Sequence, residues 1–203
     1  MRYPKLRELR EAIRALMRGP YTTRFPRLPH TPFERFRGRP YFHADQCMGC
    51  TACAQVCPSR AIEVTDAVVN GRGIRRLEVH WDICIFCGQC QANCPTTKGI
   101  VLSQEYDFAT TKGGALLPQE IEKELLLCEC CKEVVVPCEQ YRWVAQMLGP
   151  LTFTNASLLL RYLEGCGLAS CGQAPAGKKE GFLRSDRVTV LCPRCRREAV
   201  VKS

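Results

Sequence analysis

A chain of 203 residues, 46% of them hydrophobic, has material for one or two domains with a core, and no window approaches the roughly 20 apolar residues that a membrane-spanning helix needs. Sixteen cysteines behind a start, Met1-Arg-Tyr-Pro-Lys5, without an apolar export segment argue against a secreted disulfide framework and imply a reducing compartment. The net charge of +9 is local: residues 1–40 hold 11 basic residues against Glu8, Glu11 and Glu34, while the remainder is nearly balanced, so the imbalance belongs to an N-terminal arm.

Residues 4–18 read as an amphipathic helix, with Pro4 suited to the first turn and Gly19-Pro20 as a stop. Leu6, Leu9, Ile13 and Leu16 recur at helical spacing, and Arg7, Arg10, Arg14 and Arg18 fall on the other faces. Such a helix either packs on its own domain or lies on a membrane surface or partner. Residues 20–42 carry Pro20, Pro26, Pro29, Pro32 and Pro40 among aromatics, which excludes a helix and predicts an extended arm anchored by its rings. Basic residues interleaved with aromatics also suit single-stranded nucleic acid, but no RNP-like strand or OB pattern accompanies them.

The strongest signal follows. Cys47-x2-Cys50-x2-Cys53-x3-Cys57-Pro58 and Cys84-x2-Cys87-x2-Cys90-x3-Cys94-Pro95 are one motif written twice, 37 positions apart. It is the run with which bacterial-type ferredoxins hold two [4Fe-4S] clusters, the fourth cysteine of each run serving the other cluster. The spacing therefore assigns Cys47, Cys50, Cys53 and Cys94 to one cluster and Cys84, Cys87, Cys90 and Cys57 to the other. Zinc knuckles use cysteine pairs, not a triplet followed by Cys-Pro. Between the motifs, Ala61–Val69 and Ile74–Trp81 are β-prone and joined by Asn70-Gly71, a hairpin signal. Gly99–Ser103 repeats after the second motif the position of 61–64 after the first. Ile62, Ile83, Ile85, Phe86 and Ile100 are candidates for an apolar shell around the clusters.

Residues 109–122, with Gly113-Gly114 and Pro118, read as a linker. Beyond it, Cys128-x2-Cys131 and Cys192-x2-Cys195 supply two knuckles of a zinc-ribbon-like extension. Short helices are expected near 139–148 and 154–163, and a strand at 187–191 leading into the second knuckle. A structural zinc on Cys128, Cys131, Cys192 and Cys195 is the leading expectation. A third Fe-S cluster drawing on Cys130 or Cys138, and inert thiols, are the alternatives. Cys166 and Cys171 read as incidental, and His30, His43 and His80 show no ligand spacing. No nucleophile–base constellation, G-x-G-x-x-G or P-loop is present.

Thr22-Thr-Arg-Phe-Pro26, then Phe36-Arg-Gly-Arg-Pro40 and the doubled motif resemble the two-cluster ferredoxin-like subunit of respiratory complex I. They resemble still more its relative in membrane-bound group 4 [NiFe] hydrogenases and formate hydrogenlyases. The expected architecture is α+β. It comprises an N-terminal helix and docking arm (1–42), a 2[4Fe-4S] ferredoxin domain (43–108), a linker (109–122) and a Cys-rich zinc-ribbon-like domain (123–203). The resemblance implies a non-catalytic electron-transfer subunit peripheral on the cytoplasmic face of the membrane. Its partners would be hydrogenase or complex I-like subunits and membrane anchors contacted through residues 1–42, together with an electron-donor subunit. Neither nucleic acid nor a small-molecule substrate is expected. The alternatives are a subunit of a soluble formate or carbon monoxide dehydrogenase complex and a nucleic-acid-binding Fe-S protein.

Overall fold

The computed structural model describes residues 5–19, 21–107, 118–168 and 189–201. The chain falls into two units, Met1–Phe36 and Arg37–Ser203.

In the first unit, helix α1 runs over Leu6–Arg18. The Lys5 backbone N–H donates to the Glu8 carboxylate at 3.1 Å, tying down the first turn, where an acid also suits the helix dipole. At the other end the Gly19 N–H donates to the Ala15 carbonyl, with φ +79°, a backbone that glycine tolerates. Leu6, Leu9, Ile13, Leu16 and Met17 are all exposed. Residues 21–36 form turns without helix or strand, as the proline spacing requires.

The second unit is a mixed helix-and-sheet structure. Strands β1 (Pro40–Phe42) and β4 (Ile100–Leu102) pair antiparallel, Tyr41 opposite Val101. Residues 40–42, expected at the end of the docking arm, are therefore a strand of this unit. Strands β2 (Ile62–Val69) and β3 (Arg72–Val79) form the predicted hairpin. Asn70 and Gly71 both have positive φ (52° and 78°), the two-residue turn whose twist matches its strands. Short helices α2 (Ala52–Gln55) and α3 (Gln89–Ala92) complete the two motif repeats.

Strand β5 (Gln119–Leu127) begins inside the segment expected to be a linker and pairs along β3, Leu77 opposite Ile121. Strand β6 (Val134–Pro137) follows, giving a four-stranded antiparallel sheet ordered β2-β3-β5-β6. Residues 119–122 of the segment expected to be a linker are thus strand, and 109–117 lie outside the described residues. Burial alternates along β5, but Lys123 in the inward register and the run Leu125-Leu126-Leu127 break the polar–apolar alternation that would have announced a half-buried strand. The sheet places the cysteine-motif region and the start of the extension in one unit. Its core comprises Phe42, Ile62, Leu77, Val79, Ile100 and Ile121, with Cys47 and Cys53 among them. Leu77 and Val79 are wholly inaccessible, each burial contributing roughly 1.5–3 kcal/mol.

Helix α4 (Cys138–Leu148), a 3-10 turn at Gly149–Thr154, helix α5 (Ala156–Gly165) and helix α6 (Pro193–Val201) finish the chain. Asn155 caps α5, its side-chain oxygen accepting the N–H groups of Ser157 and Leu158 at 3.1 and 3.2 Å. The strand expected at 187–191 is not formed at Thr189–Leu191. There the chain is held by the Glu129 N–H donating to the Val190 carbonyl and the Val190 N–H donating to the Glu129 carboxylate, both at 2.9 Å. Arg187, Val188, Gly113, Gly114 and Cys171 lie outside the described residues. Among the described residues no helix is long and apolar enough to cross a membrane.

Candidate functional site

The duplicated motif folds twice in the same way. Left-handed backbone recurs at Gly49 and Phe86, at Thr51 and Gly88, and at Arg60 and Thr97, each pair 37 residues apart. The first two of these curl each Cys-x2-Cys-x2-Cys loop around a hollow. The short helix that follows carries the fourth cysteine away from it. Four of the six, Thr51, Arg60, Phe86 and Thr97, are neither Gly, Asn nor Asp, and such residues hold φ > 0 only where the surroundings impose it.

One hollow is lined by Cys84, Cys87 and Cys90 of the second motif together with Cys57 of the first. The other is lined by Cys47, Cys50 and Cys53 together with Cys94. The crossed grouping inferred from spacing is thus reproduced in space for all eight residues. The walls are apolar: Ile62, Val79 and Leu102 around one, Phe42, Leu77 and Ile100 around the other. Ile62 and Ile100 are shell residues as expected. Ile85 and Phe86 also line the cavity of the second motif, Ile85 while 61% exposed, whereas Ile83 is 49% exposed and lines neither cavity.

Polar hydrogens converge on the sulfur atoms. The Phe86 N–H donates to Cys84 Sγ at 3.4 Å and the Ala61 N–H to Cys57 Sγ at 3.3 Å. Ser59 and Thr96, equivalent in the two repeats, place their hydroxyls 3.6 and 3.3 Å from Cys57 and Cys94. Burial pushes the Cys53 thiol up to about 12 and its counterpart Cys90 up to about 11. It raises Cys47 and Cys84 as well. For Cys94 burial acts the same way, but the Thr96 hydroxyl and the N–H groups of Gly99, Thr96 and Ile100 outweigh it and lower the value. Crowded, partly buried thiols that hold their protons this tightly lose them to a metal, which neutralises the charge that burial penalises. Four sulfurs around each apolar hollow, with N–H donors aimed at them, fit an iron–sulfur cube.

The Arg37-Gly38-Arg39 sequence braces this region. Arg37 donates to the Cys87 carbonyl at 3.0 Å. Gly38 lies so close to residues 103–105 that a Cβ there would collide with the Glu105 carbonyl oxygen. Arg39 stacks over Trp81, 4.6 Å from its ring, and pairs with Glu105, which also accepts from the Tyr41 hydroxyl at 2.7 Å. Trp81 Nε1 in turn donates to the Pro40 carbonyl at 2.9 Å.

Residues 33–98 match the profile of the 4Fe-4S dicluster domain. This segment is a 4Fe-4S dicluster domain. Its relatives by sequence include NAD(P)H-quinone oxidoreductase subunit I of Gloeobacter violaceus, 33% identical over 98 residues, 46% of either chain. Formate hydrogenlyase subunit 6 of Escherichia coli is 36% identical over 115 residues, 55% of this chain and 59% of the relative. The chain spans about half the length of these curated relatives. Among solved structures, the membrane-bound sulfane sulfur reductase, an archaeal respiratory membrane complex, aligns with a TM-score of 0.39 and 26% identity, over 55% of this chain and 58% of the other.

Beyond the dicluster domain, Cys128, Cys131, Cys192 and Cys195 come together with all four sulfurs within 4.8 Å of one another. Cys128 lies at the end of β5, Cys131 in the following turn, and Cys192 and Cys195 at the start of α6, so two distant chain segments meet here. Burial opposes the Cys128 thiolate, yet the N–H groups of Cys131, Cys192 and Cys130 outweigh it and bring the thiol to about 7. Burial raises Cys195 strongly. Cys130 is exposed against Cys195, Cys138 is half-buried at the start of α4, and Cys166 is exposed; none of the three belongs to the group of four.

One residue the sequence reading passed over is Lys123. It is only 6% exposed and occupies an inward position on β5 between Ile121 and Leu125. A lysine in the apolar register of an alternating strand was the available signal.

Proposed function

We propose that this chain relays single electrons through two [4Fe-4S] clusters as a non-catalytic subunit of a membrane-bound hydrogenase or complex I-like oxidoreductase. The observation that carries the reading is the crossed lining of the two cavities, three cysteines of one motif with the fourth of the other. Cys47, Cys50, Cys53 and Cys94 would hold one cluster, and Cys84, Cys87, Cys90 and Cys57 the other. Such clusters supply one-electron chemistry whose potential follows burial, charge and hydrogen bonds to sulfur. The chain's own contribution is to anchor the thiolates, exclude water with Leu77, Val79 and Ile100, and aim N–H groups at the sulfurs. The similarity to formate hydrogenlyase subunit 6 and to quinone oxidoreductase subunit I supports assembly with oxidoreductase subunits.

Residues 1–36 would dock on membrane-anchored partners at the cytoplasmic face. The support is a helix whose whole apolar stripe, Leu6, Leu9, Ile13 and Leu16, is exposed beneath a basic face, the pattern of an interfacial helix. Cys128, Cys131, Cys192 and Cys195 would hold one structural zinc, making the extension zinc-ribbon-like. Tetrahedral ligation at about 2.3 Å sets sulfurs about 3.8 Å apart, and the Cys131 and Cys192 sulfurs are 3.6 Å apart. A four-iron cube, with one thiolate on each iron, spreads its cysteines more widely.

The test is anaerobic iron, sulfide and zinc analysis of the purified chain with EPR of the reduced sample. The expected result is about eight irons, one zinc and two interacting [4Fe-4S] signals. About twelve irons without zinc would replace the zinc reading by a third cluster, and fewer than about four would overturn the relay.

A further inference from the structure

The two cysteine loops share a backbone and a ligand pattern but not an electrostatic setting. On the inward face of the four-stranded sheet, Asp66, Arg75 and Lys123 stand in one rung across β2, β3 and β5. Arg75 and Lys123 are directly opposite, an arrangement of like charges that weakens a sheet. Each cation is held by an acid of its own. Arg75 binds Asp66 through two bonds of 2.7 Å, and Lys123 Nζ lies 2.7 Å from the Glu139 carboxylate, on the first turn of α4. Lys123 Nζ also donates to the Ala44 carbonyl.

Both cations converge on the first cysteine loop. Arg75 donates to the Gly49 carbonyl at 3.0 Å. A Cβ on Gly49 would stand 3.2 Å from the Lys123 side chain, so the lysine stem lies directly against the loop between Cys47 and Cys50. The field of Lys123 acts to lower the Cys47 thiol, although burial dominates. The charge is also poorly screened on one side of the pair: the Lys123 side chain is 6% exposed and that of Glu139 is 46% exposed. The second loop has instead Arg37, exposed, on the Cys87 carbonyl.

We infer that Lys123, delivered by the strand that opens the extension, sets the midpoint potential of the Cys47/Cys50/Cys53/Cys94 centre above that of its twin. The inference rests on the two-cluster reading above. One-electron reduction adds one negative charge and no proton to the centre, and a buried cation beside the loop favours that form. Lys123 is thus a positioning residue for charge, acting through the field at the ligand loop. A unit charge roughly 10 Å away at an effective dielectric of about 20 changes a one-electron equilibrium by about tenfold.

The experiment is a dithionite redox titration of the iron-loaded full chain followed by EPR, on wild type, Lys123→Met, Lys123→Arg and Glu139→Gln, with iron counted in each. Lys123→Met should lower one midpoint and leave the other in place. The reduced-to-oxidised ratio of the affected centre falls about tenfold at fixed ambient potential, 59 mV for a one-electron couple. Lys123→Arg should restore the wild-type value, and Glu139→Gln, which removes the opposing charge, should move the same midpoint upward. Unmoved midpoints in variants with full iron, or equal movement of both, overturn the inference while leaving the clusters intact. If Lys123→Met loses iron, Glu139→Gln and Lys123→Arg decide alone: an unchanged midpoint in Glu139→Gln refutes it. Absence of iron from wild type would be the distinct failure of the two-cluster reading.

Discussion

Gly99→Ala tests whether the cavity built by Cys47, Cys50, Cys53 and Cys94 is as tightly enclosed as its lining implies. A methyl group at Gly99 would stand 2.9 Å from Thr96 Oγ1, 3.1 Å from Cys94 Sγ and 3.2 Å from the Cys47 Cα. Two of these atoms belong to residues of the ligand set, and the third to the hydroxyl that bonds Cys94. The Gly99 N–H points at Cys94, and its carbonyl accepts from the His43 N–H at 3.0 Å, so the backbone cannot shift without loosening both. Overpacking costs about 1–3 kcal/mol, and a weakened hydrogen bond adds about 1. A total of about 2–4 kcal/mol corresponds to a 30- to 1,000-fold weaker hold on the first cluster. The assay is iron retained per chain during a timed anaerobic chelator challenge, with EPR reporting whether one centre or both are lost. Gly71→Ala is the comparator: its φ is +78° but nothing lies within 4 Å of its Cβ, so it carries only a backbone cost of about 1–2 kcal/mol, spread over the whole unit. Gly99→Ala should shed one centre ahead of the other. Equal retention in the two variants would refute the reasoning.

Deletion of residues 1–36 should leave about eight irons per chain but abolish recovery with membrane-anchored partners; a truncated chain that still co-fractionates with them would remove the docking role. The cut stops at 36 because Pro40–Phe42 is strand β1, and a cut at 42 would unpair β4. Cys195→Ala should release the zinc and loosen α6, whose Cys195 and Ala199 lie in the small core with Cys128 and Leu191, while the eight irons stay; loss of iron at the same rate would show that the two metal regions fold as one. The hydrogen bond from Arg75 and its charge hold the Asp66 carboxyl below 3.8, against some burial. Because the folded value is depressed, that stabilisation is present above about pH 4 and is lost as pH falls through the folded value. The melting-temperature gap between wild type and Asp66→Asn should therefore be constant from pH 7 to 5; a gap already narrowing in that range contradicts the ion pair.

What was legible in the sequence was whatever one repeat or one dipeptide fixes. The 37-residue duplication gave the crossed grouping of eight cysteines, because identical spacing imposes identical local backbone. Asn70-Gly71 gave the hairpin, because few pairs accept two consecutive positive φ values. The helix over 139–148 was read within one residue of its observed start. Long-range pairing was not legible. Nothing in Pro40–Phe42 says that it meets Ile100–Leu102, and β5 hid behind its own broken alternation. The gathering of Cys128 and Cys131 with Cys192 and Cys195 was foreseen from ligand spacing, although the strand expected before the second knuckle is a hydrogen-bonded connection.

Duplication explains the pair of loops but not their difference, and the difference comes from what each loop is covered by. The first loop carries Gly49 where the second carries Phe86. Only a residue without a side chain leaves room there for the Lys123 stem at 3.2 Å and Pro137 at 3.4 Å, so the extension can close over the first loop and not over the second. The second loop keeps Ile85 exposed and half-buried cysteines at Cys84, Cys87 and Cys90. On that argument Gly49→Phe, which would give the first loop the residue of its twin, should expel Lys123 and lift β5 and β6 from the loop. Protection of the Lys123 and Gly49 amides from hydrogen exchange would then fall, with Phe86 unaffected; unchanged protection at both would show that the covering of the first loop does not depend on the missing side chain.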